Sequence, residues 1–321
     1  MEAHDSAKKM IPAASLFEPL PIRAVGGELR AARFAAAPDV PARGVCVLLN
    51  GQTEFIEKYF EVIDELRGRG FAVATMDWRG QGGSTRMTED TRKSFVGDFQ
   101  EYDQDLDTLM HWIVQPMLAH GEKPVALAHS MGAHNLLRAL SRNPNRFAAA
   151  VLSTPMIAIS FRGQHEFLVR AVTAFQVWRG RRGDWVWGME ARDPHRVSFS
   201  SQLVTSDPQR FERTQKLLRE QPDLRLAGAT WSWLAAALSS MGWLREPGRP
   251  EAITTPLLVV GAGKDRICQT PQTKAFAARL PAGAYLAIPG AEHELMMERN
   301  AIRAQFWAAF DGFIKKNRAP V

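Results

Sequence analysis

Two cysteines in 321 residues are too few for a disulfide framework. Cys46 lies in an apolar run and Cys268 in a polar turn, so both are expected as reduced thiols in a cytoplasmic protein. No run of roughly 18 uncharged apolar residues occurs, which argues against a membrane span. The opening MEAHDSAKKMIPAASLFEPLPI lacks the apolar core of a secretory leader, and about the first 20 residues are expected to be mobile. No repeat or low-complexity tract is present; the 19 prolines and 24 glycines are dispersed. Acidic residues are the minority, giving a net charge of +6. Without a recognition motif that charge does not indicate a nucleic-acid partner; it suits an anionic lipid surface or no partner at all.

What is present is a series of short, continuous apolar runs, each ending in a polar stretch that contains glycine in all but one: GVCVLLNG (44–51), FAVATMDWRG (71–80), PVALAHSMG (124–132), AAAVLSTP (148–155), PLLVVGAGKD (256–265) and AYLAIPGAEH (284–293). Continuous rather than alternating runs suit strands buried on both faces of a parallel sheet. Amphipathic stretches lie between most of them. Phe55, Tyr59, Val62, Ile63 and Leu66 recur at helical spacing before Gly68 and Gly70, and Ile302, Phe306, Phe310, Phe313 and Ile314 share one face near the end. LPIRAVGGELRAARF reads as a hairpin turning at Gly26-Gly27. Strands alternating with helices predict a doubly wound, mostly parallel α/β sheet.

The alternation breaks between about Thr154 and Thr255. This interval shows helical periodicity in 161–178, 208–220 and 228–241, no clear buried strand, and six of the nine tryptophans. It is read as an inserted helical cap, which divides the chain into core 1–154, cap 155–250 and core 251–321.

In VALAHSMGAHN a run of strand character turns into a helical pattern at Ser130. Ala128-x-Ser130-x-Gly132 is close to the G-x-S-x-G elbow, in which small flanking residues permit a tight turn that lifts a serine hydroxyl clear of the backbone. A serine needs a base and an acid that orients the base. Asp265 and His293 follow later predicted strands, so Ser130, Asp265 and His293 stand in the chain order of such a triad, each at a strand end. The remaining histidines are read as structural or solvent-exposed. The oxyanion donors are expected to be the backbone N–H groups of Met131 and of Gln52 in the NGQTEF loop. HELMM (293–297) lacks the second histidine of a zinc motif, and GQGGS (80–84) lacks the spacing and lysine of a phosphate loop, so neither a metal nor a cofactor is expected.

The blocks 49–84, 128–135, 261–268 and 289–299 resemble the bacterial lysophospholipase and monoacylglycerol lipase group of α/β-hydrolases. Gly51, Glu54 and Tyr59 match the pattern H-G-x-x-E-x-x-x-x-Y, with Asn50 replacing the histidine. Asp77, Gly80, Gly82 and Ser84 match D-x-x-G-x-G-x-S. The resemblance implies an α/β-hydrolase sheet with a cap, Ser130, Asp265 and His293 as triad, and oxyanion N–H groups from Gln52 and Met131.

The expected reaction is hydrolysis of single-acyl-chain lipid esters through an acyl-serine, foremost as a lysophospholipase. A monoacylglycerol lipase, a general carboxylesterase, an aminopeptidase and a non-catalytic binding protein of the same fold are the alternatives. From Pro155 to Pro250 there are 14 Lys and Arg against nine Asp and Glu, five of the six net charges. In WRGRRGDWVW (178–187), Trp178, Trp185 and Trp187 and the intervening Arg179, Arg181 and Arg182 are candidates for binding an acyl chain and an anionic head, or an anionic membrane surface.

Overall fold

The computed structural model describes residues 15–22, 26–161, 163–190 and 193–317. Ten strands occur in chain order: β1 (Ser15–Pro21), β2 (Glu28–Phe34), β3 (Val45–Leu49), β4 (Ala72–Met76), β5 (Lys93–Ser94), β6 (Val125–His129), β7 (Ala149–Ser153), β8 (Gly228–Ala229), β9 (Leu257–Ala262) and β10 (Gly283–Ile288). Eight form one sheet in the order β1-β2-β4-β3-β6-β7-β9-β10. The β1–β2 and β2–β4 pairs are antiparallel and every other pair in this sheet is parallel.

The six apolar runs become β3, β4, β6, β7, β9 and β10, and a two-sided core explains why they do not alternate. Val45, Val47 and Leu49 of β3 enter one cluster of buried side chains, with Ala126, Leu152 and Val259. Cys46 and Leu48 enter the other, with Leu127, Val151 and Val260. The helices α1 (Phe60–Arg67) and α8 (Asn300–Asn317) supply Val62, Ile63, Leu66, Phe306, Phe310 and Ile314 to the second cluster. The helices α2 (Gln100–Leu109) and α3 (Ser130–Arg142) supply Leu106, Leu109, Leu136, Leu137 and Leu140 to the first. Truncating any one such leucine to alanine costs about 2–5 kcal/mol. β10 is an edge strand, which accounts for its partial exposure.

Between β7 and β9 lie α4 (Glu166–Trp178), α5 (Pro208–Glu220) and α6 (Trp231–Arg245); α7 (Thr270–Ala277) follows β9. α5 starts cleanly because the Asp207 carboxylate accepts from the N–H groups of Gln209 and Arg210 and Pro208 occupies the first turn. The segment before α5 is tied to the loop after β10: Glu294 N–H donates to Val204 O (2.7 Å) and Thr205 Oγ1 to Met297 O (2.7 Å).

Two expectations need correction. The interval between β7 and β9 does contain a buried strand, the two-residue β8, which pairs in parallel with β5. Gly228 and Ala229 carry almost no side chain, so hydrophobic patterning gives them no signal. The mobile N-terminus is also too long as drawn, because Ser15–Pro21 pairs with β2 over seven residues. The rest of that expectation, residues 1–14, and part of the hairpin turn, 23–25, lie outside the described residues. Within the hairpin, Ile22 N–H donates to Gly27 O (2.9 Å), and Gly26 and Gly27 hold positive φ of 74° and 94°.

Candidate active site

Parallel strands bring their carboxyl ends to one edge, and that edge gathers the chemistry. Among the described residues three non-glycines adopt positive φ: Thr53 (62°), Ser130 (49°) and Thr154 (44°). They stand just beyond β3, β6 and β7, which are neighbours in the sheet. Left-handed backbone at a β-branched or ordinary residue costs about 1–3 kcal/mol and persists only where the surroundings enforce it. At Ser130 the cause is the reversal from β6 straight into α3. Gly132 makes the reversal possible: a Cβ there would lie 2.4 Å from Asn50 O and 2.6 Å from Leu49 O. The elbow therefore packs directly on the end of β3.

Ser130 Oγ is 3.0 Å from His293 Nε2, and His293 Nδ1 is 2.8 Å from Asp265 Oδ2. The three residues, separated by up to 163 positions in the chain, form one relay. Asp265 Oδ1 accepts from the N–H groups of Ile267 (2.9 Å) and Cys268 (2.8 Å), which fixes the carboxylate plane. Burial pushes the Asp265 carboxyl up, but the His293 ring and these two N–H donors outweigh it and hold it below its ordinary range. An ionised Asp265 keeps the proton on His293 Nδ1 and leaves Nε2 free to accept from Ser130. On the far side, Thr154 Oγ1 donates to His293 O (2.8 Å).

The loop after β3 adjoins the elbow. A Cβ at Gly51 would sit 3.2 Å from both Ser130 Cβ and His129 Cδ2. On either side of Gln52 the backbone donors are engaged, Gly51 N–H by Glu54 Oε2 (2.5 Å) and Thr53 N–H by Gln81 Oε1 (2.9 Å). The N–H groups of Gln52 and Met131 take no acceptor among the described residues. Asn50, where the resemblance expects histidine, donates to Met76 O (3.1 Å), and its carbonyl accepts from Trp78 Nε1 (2.9 Å), so it braces the loop against β4.

Sequence reasoning passed over several residues here. His129 is buried with its ring 4.9 Å from that of His293, and Nδ1 faces Ser153 Oγ and Thr154 Oγ1 rather than Ser130. Burial lowers it to about 4, so it is neutral at pH 7. Lys58 is buried and Glu294 partly so beside the site; on a surface-like helical pattern a lysine gives no warning of burial. Cys268 is buried rather than lying in a solvent-facing turn, and burial pushes its thiol well up. Asp265, Cys268 and His293 each present a possible metal-ligand atom within 4.8 Å of the others, but two of these groups are already hydrogen-bonded to each other.

The candidate substrate residues divide by exposure. Trp178 and Trp187 are 80% and 65% exposed, Trp185 is half-buried, and Arg179, Arg181 and Arg182 are exposed without an ion pair among the described residues. Trp187 packs edge-on against buried Trp231 (5.1 Å), and Arg92 and Lys93 lie over the Trp185 ring.

A second buried histidine yields a stability prediction. His134 Nδ1 faces Met156 O (2.8 Å), which can only accept, so the proton sits there and Nε2 accepts from the Ser240 hydroxyl (2.6 Å). Burial lowers this imidazole to about 3. The unfolded chain protonates it near 6.5, so between those values the unfolded state holds more protons. Its contribution is complete above about pH 6.5 and is lost as pH falls toward 3. Asp77 and Asp105, raised to about 6 by burial, act in the opposite direction, so the clean observable is a difference between proteins. From pH 7 to 5 the wild-type Tm should fall more than that of His134→Gln, by the equivalent of about 2 kcal/mol. Parallel Tm curves would refute the neutral-imidazole assignment.

Comparison with known proteins places this geometry in a family. A family model described as serine aminopeptidase, S33, matches residues 40–300. The chain belongs to this α/β-hydrolase family. The hydrolase is 28% identical over 306 residues to lysophospholipase L2 of Escherichia coli (strain K12), covering 90% of this chain and 88% of that one. It is 26% identical over 267 residues to a monoacylglycerol lipase of Mycolicibacterium smegmatis, covering 81% and 85%. In fold the hydrolase is similar to a soluble variant of monoglyceride lipase from Saccharomyces cerevisiae, with a TM-score of 0.74 at 16% identity over 97% of both chains. No helix among the described residues is long and apolar enough to cross a membrane.

Proposed function

We propose that this chain is a carboxylic ester hydrolase of single-acyl-chain lipids, acting as a lysophospholipase. The observation that carries the reading is the Ser130–His293–Asp265 relay beyond the ends of β6, β10 and β9, with spare backbone donors at Gln52 and Met131. His293 takes the Ser130 proton as Oγ attacks the ester carbonyl. The tetrahedral oxyanion sits on the two N–H groups, and His293 returns the proton to the leaving alcohol. Water then attacks the acyl-serine with His293 again as base, releasing the fatty acid. The similarity to lysophospholipase L2 supports a lysolipid in preference to a peptide. An aminopeptidase needs a free carboxylate for the substrate's ammonium. Glu54 and Glu294, the largely buried carboxylates beside the relay, are already paired with Lys58.

Residues 155–250 act in this reading as a cap over the core formed by 1–154 and 251–321. Its helix α4 has its polarity reversed. Phe167, Leu168, Phe175 and Trp178 are 77%, 58%, 52% and 80% exposed, while Thr173 and Gln176 are buried. A contiguous exposed apolar face marks a binding surface, and here it runs into Arg179, Arg181 and Arg182. This combination supports peripheral contact with an anionic lipid surface or an anionic head group.

Kinetics on matched lysophospholipids, monoacylglycerols, short esters and aminoacyl amides test the substrate class; a preference for the amides would overturn it. Reversing Arg179, Arg181 and Arg182 to glutamate should raise KM for lysolipid in anionic vesicles by at least about tenfold. The effect should shrink as salt rises, because exposed charges are screened beyond about 8–10 Å. Hydrolysis of a short neutral ester should change less than about twofold. Equal losses on both substrates would make the arginines structural.

A further inference from the structure

Lys58 lies in the 3₁₀ turn Ile56–Tyr59 that leads into α1, and its side chain is only 8% exposed. Its ammonium is held between two carboxylates. Nζ lies 2.8 Å from Glu54 Oε1 and donates to Glu294 Oε1 at 2.7 Å. Glu54 is buried, at 5% side-chain exposure, and Glu294 largely so, at 12%. They come from opposite ends of the sequence and from opposite sides of the site. Glu54 Oε2 accepts from Gly51 N–H (2.5 Å) and from the Tyr59 hydroxyl (2.6 Å), so this carboxylate sets the backbone immediately before Gln52. Glu294 directly follows His293, whose carbonyl is gripped by Thr154 Oγ1 and by Leu295 N–H (3.2 Å).

A buried ion pair is a poor source of net stability, because desolvating the charges costs about what their attraction returns. What three largely buried charges in close ion pairs do supply is a defined separation between the segments that carry them. Resting on the acyl-transfer reading above, we propose that Lys58 is a positioning residue that spaces the Gly51–Gln52 loop against the His293 loop, through Glu54 on one side and Glu294 on the other. The oxyanion donor and the general base must both meet the carbonyl attacked by Ser130, so the distance between their loops is a catalytic variable. Burial raises the Glu294 carboxyl and Glu54 adds to that, while Lys58 counters both, so the bridge rests on its geometry, with the charge states of the other two members alongside. Burial pushes Glu54 up, but Lys58, His129 and the Tyr59 hydroxyl together hold it at about 2. Burial draws Lys58 down, and the two carboxylates reverse that and keep it protonated.

The test is steady-state hydrolysis of p-nitrophenyl acetate by Lys58→Met and Lys58→Arg, with active sites counted by fluorophosphonate labelling of Ser130. Displacements of the order of 1 Å can cost about a hundredfold in rate. Lys58→Met should lower kcat per labelled site about 10- to 100-fold with KM within about threefold, and Lys58→Arg should recover most of the loss. Phosphonylation should slow by a similar factor. If Lys58→Met does not fold, Lys58→Met/Glu294→Gln removes one negative charge along with the lysine and carries the same expectation. A kcat per site within about twofold of wild type, whatever the Tm, overturns the bridge and makes Lys58 merely structural. A loss confined to KM overturns it as well. Failure of wild-type Ser130 to label would instead fault the catalytic reading on which the bridge rests.

Discussion

Ser130→Ala should reduce kcat for a carboxylic ester by about a millionfold, to the residual rate that binding and oxyanion donors sustain. The fold should survive. Alanine places the same Cβ on the same positive-φ backbone, and what disappears is the hydroxyl's bond to His293 and its contact with the Cys268 thiol. His293→Ala should fall as far, since the serine then has no proton acceptor. Asp265→Asn should lose about ten-thousandfold, because an amide can present its N–H to Nδ1 and stabilise the wrong tautomer. Far-UV and near-UV circular dichroism establish that each variant is folded, and a fluorophosphonate should label Ser130 and no other serine. Labelling elsewhere, or wild-type turnover in Ser130→Ala, would remove the mechanism.

Gln52→Pro should lower kcat about a hundredfold to a thousandfold, the usual loss for one oxyanion donor. Gln52→Ala should be mild. The Gln52 side chain makes a single long contact, Nε2 to Ser94 Oγ at 3.4 Å, whereas its N–H is the one backbone donor left over between engaged neighbours. Proline deletes that donor and leaves the flanking bonds of Gly51 and Thr53 in place. The comparison is read in kcat, not KM, because the oxyanion exists only in the transition state. Similar losses in the two variants would show that the amide side chain, not the backbone, acts.

The sheet was legible because burial on both faces leaves a distinctive mark, an apolar run too short for a helix and closed by polar residues, in most cases with glycine. The relay was legible for a related reason: a parallel sheet carries reactive side chains on the residues just beyond its strands, so strand ends in the right order nominate Ser130, Asp265 and His293. Residues whose role depends on partners distant in sequence left no such mark. Lys58 and Glu294 are 236 positions apart, and neither type nor spacing announces that they meet. The outward face of α4 was hidden differently. Phe167, Leu168, Phe175 and Trp178 have the spacing of a core-facing stripe, and periodicity gives the face without saying what covers it. Gly228 and Ala229 were missed because a strand recognised by its partner's backbone needs no side-chain pattern.

The span between Ser130 and His293 also has a consequence for the protein's synthesis. Translation delivers the elbow first, on β6, after its neighbour β3 and the strand beyond that, β4. The base arrives only after the intervening helices, β9 and β10 have been made, 163 residues later. In the acyl-transfer reading proposed above, a ribosome-bound intermediate therefore carries Ser130 without its base, and cannot attack an ester until the last strand of the sheet has docked.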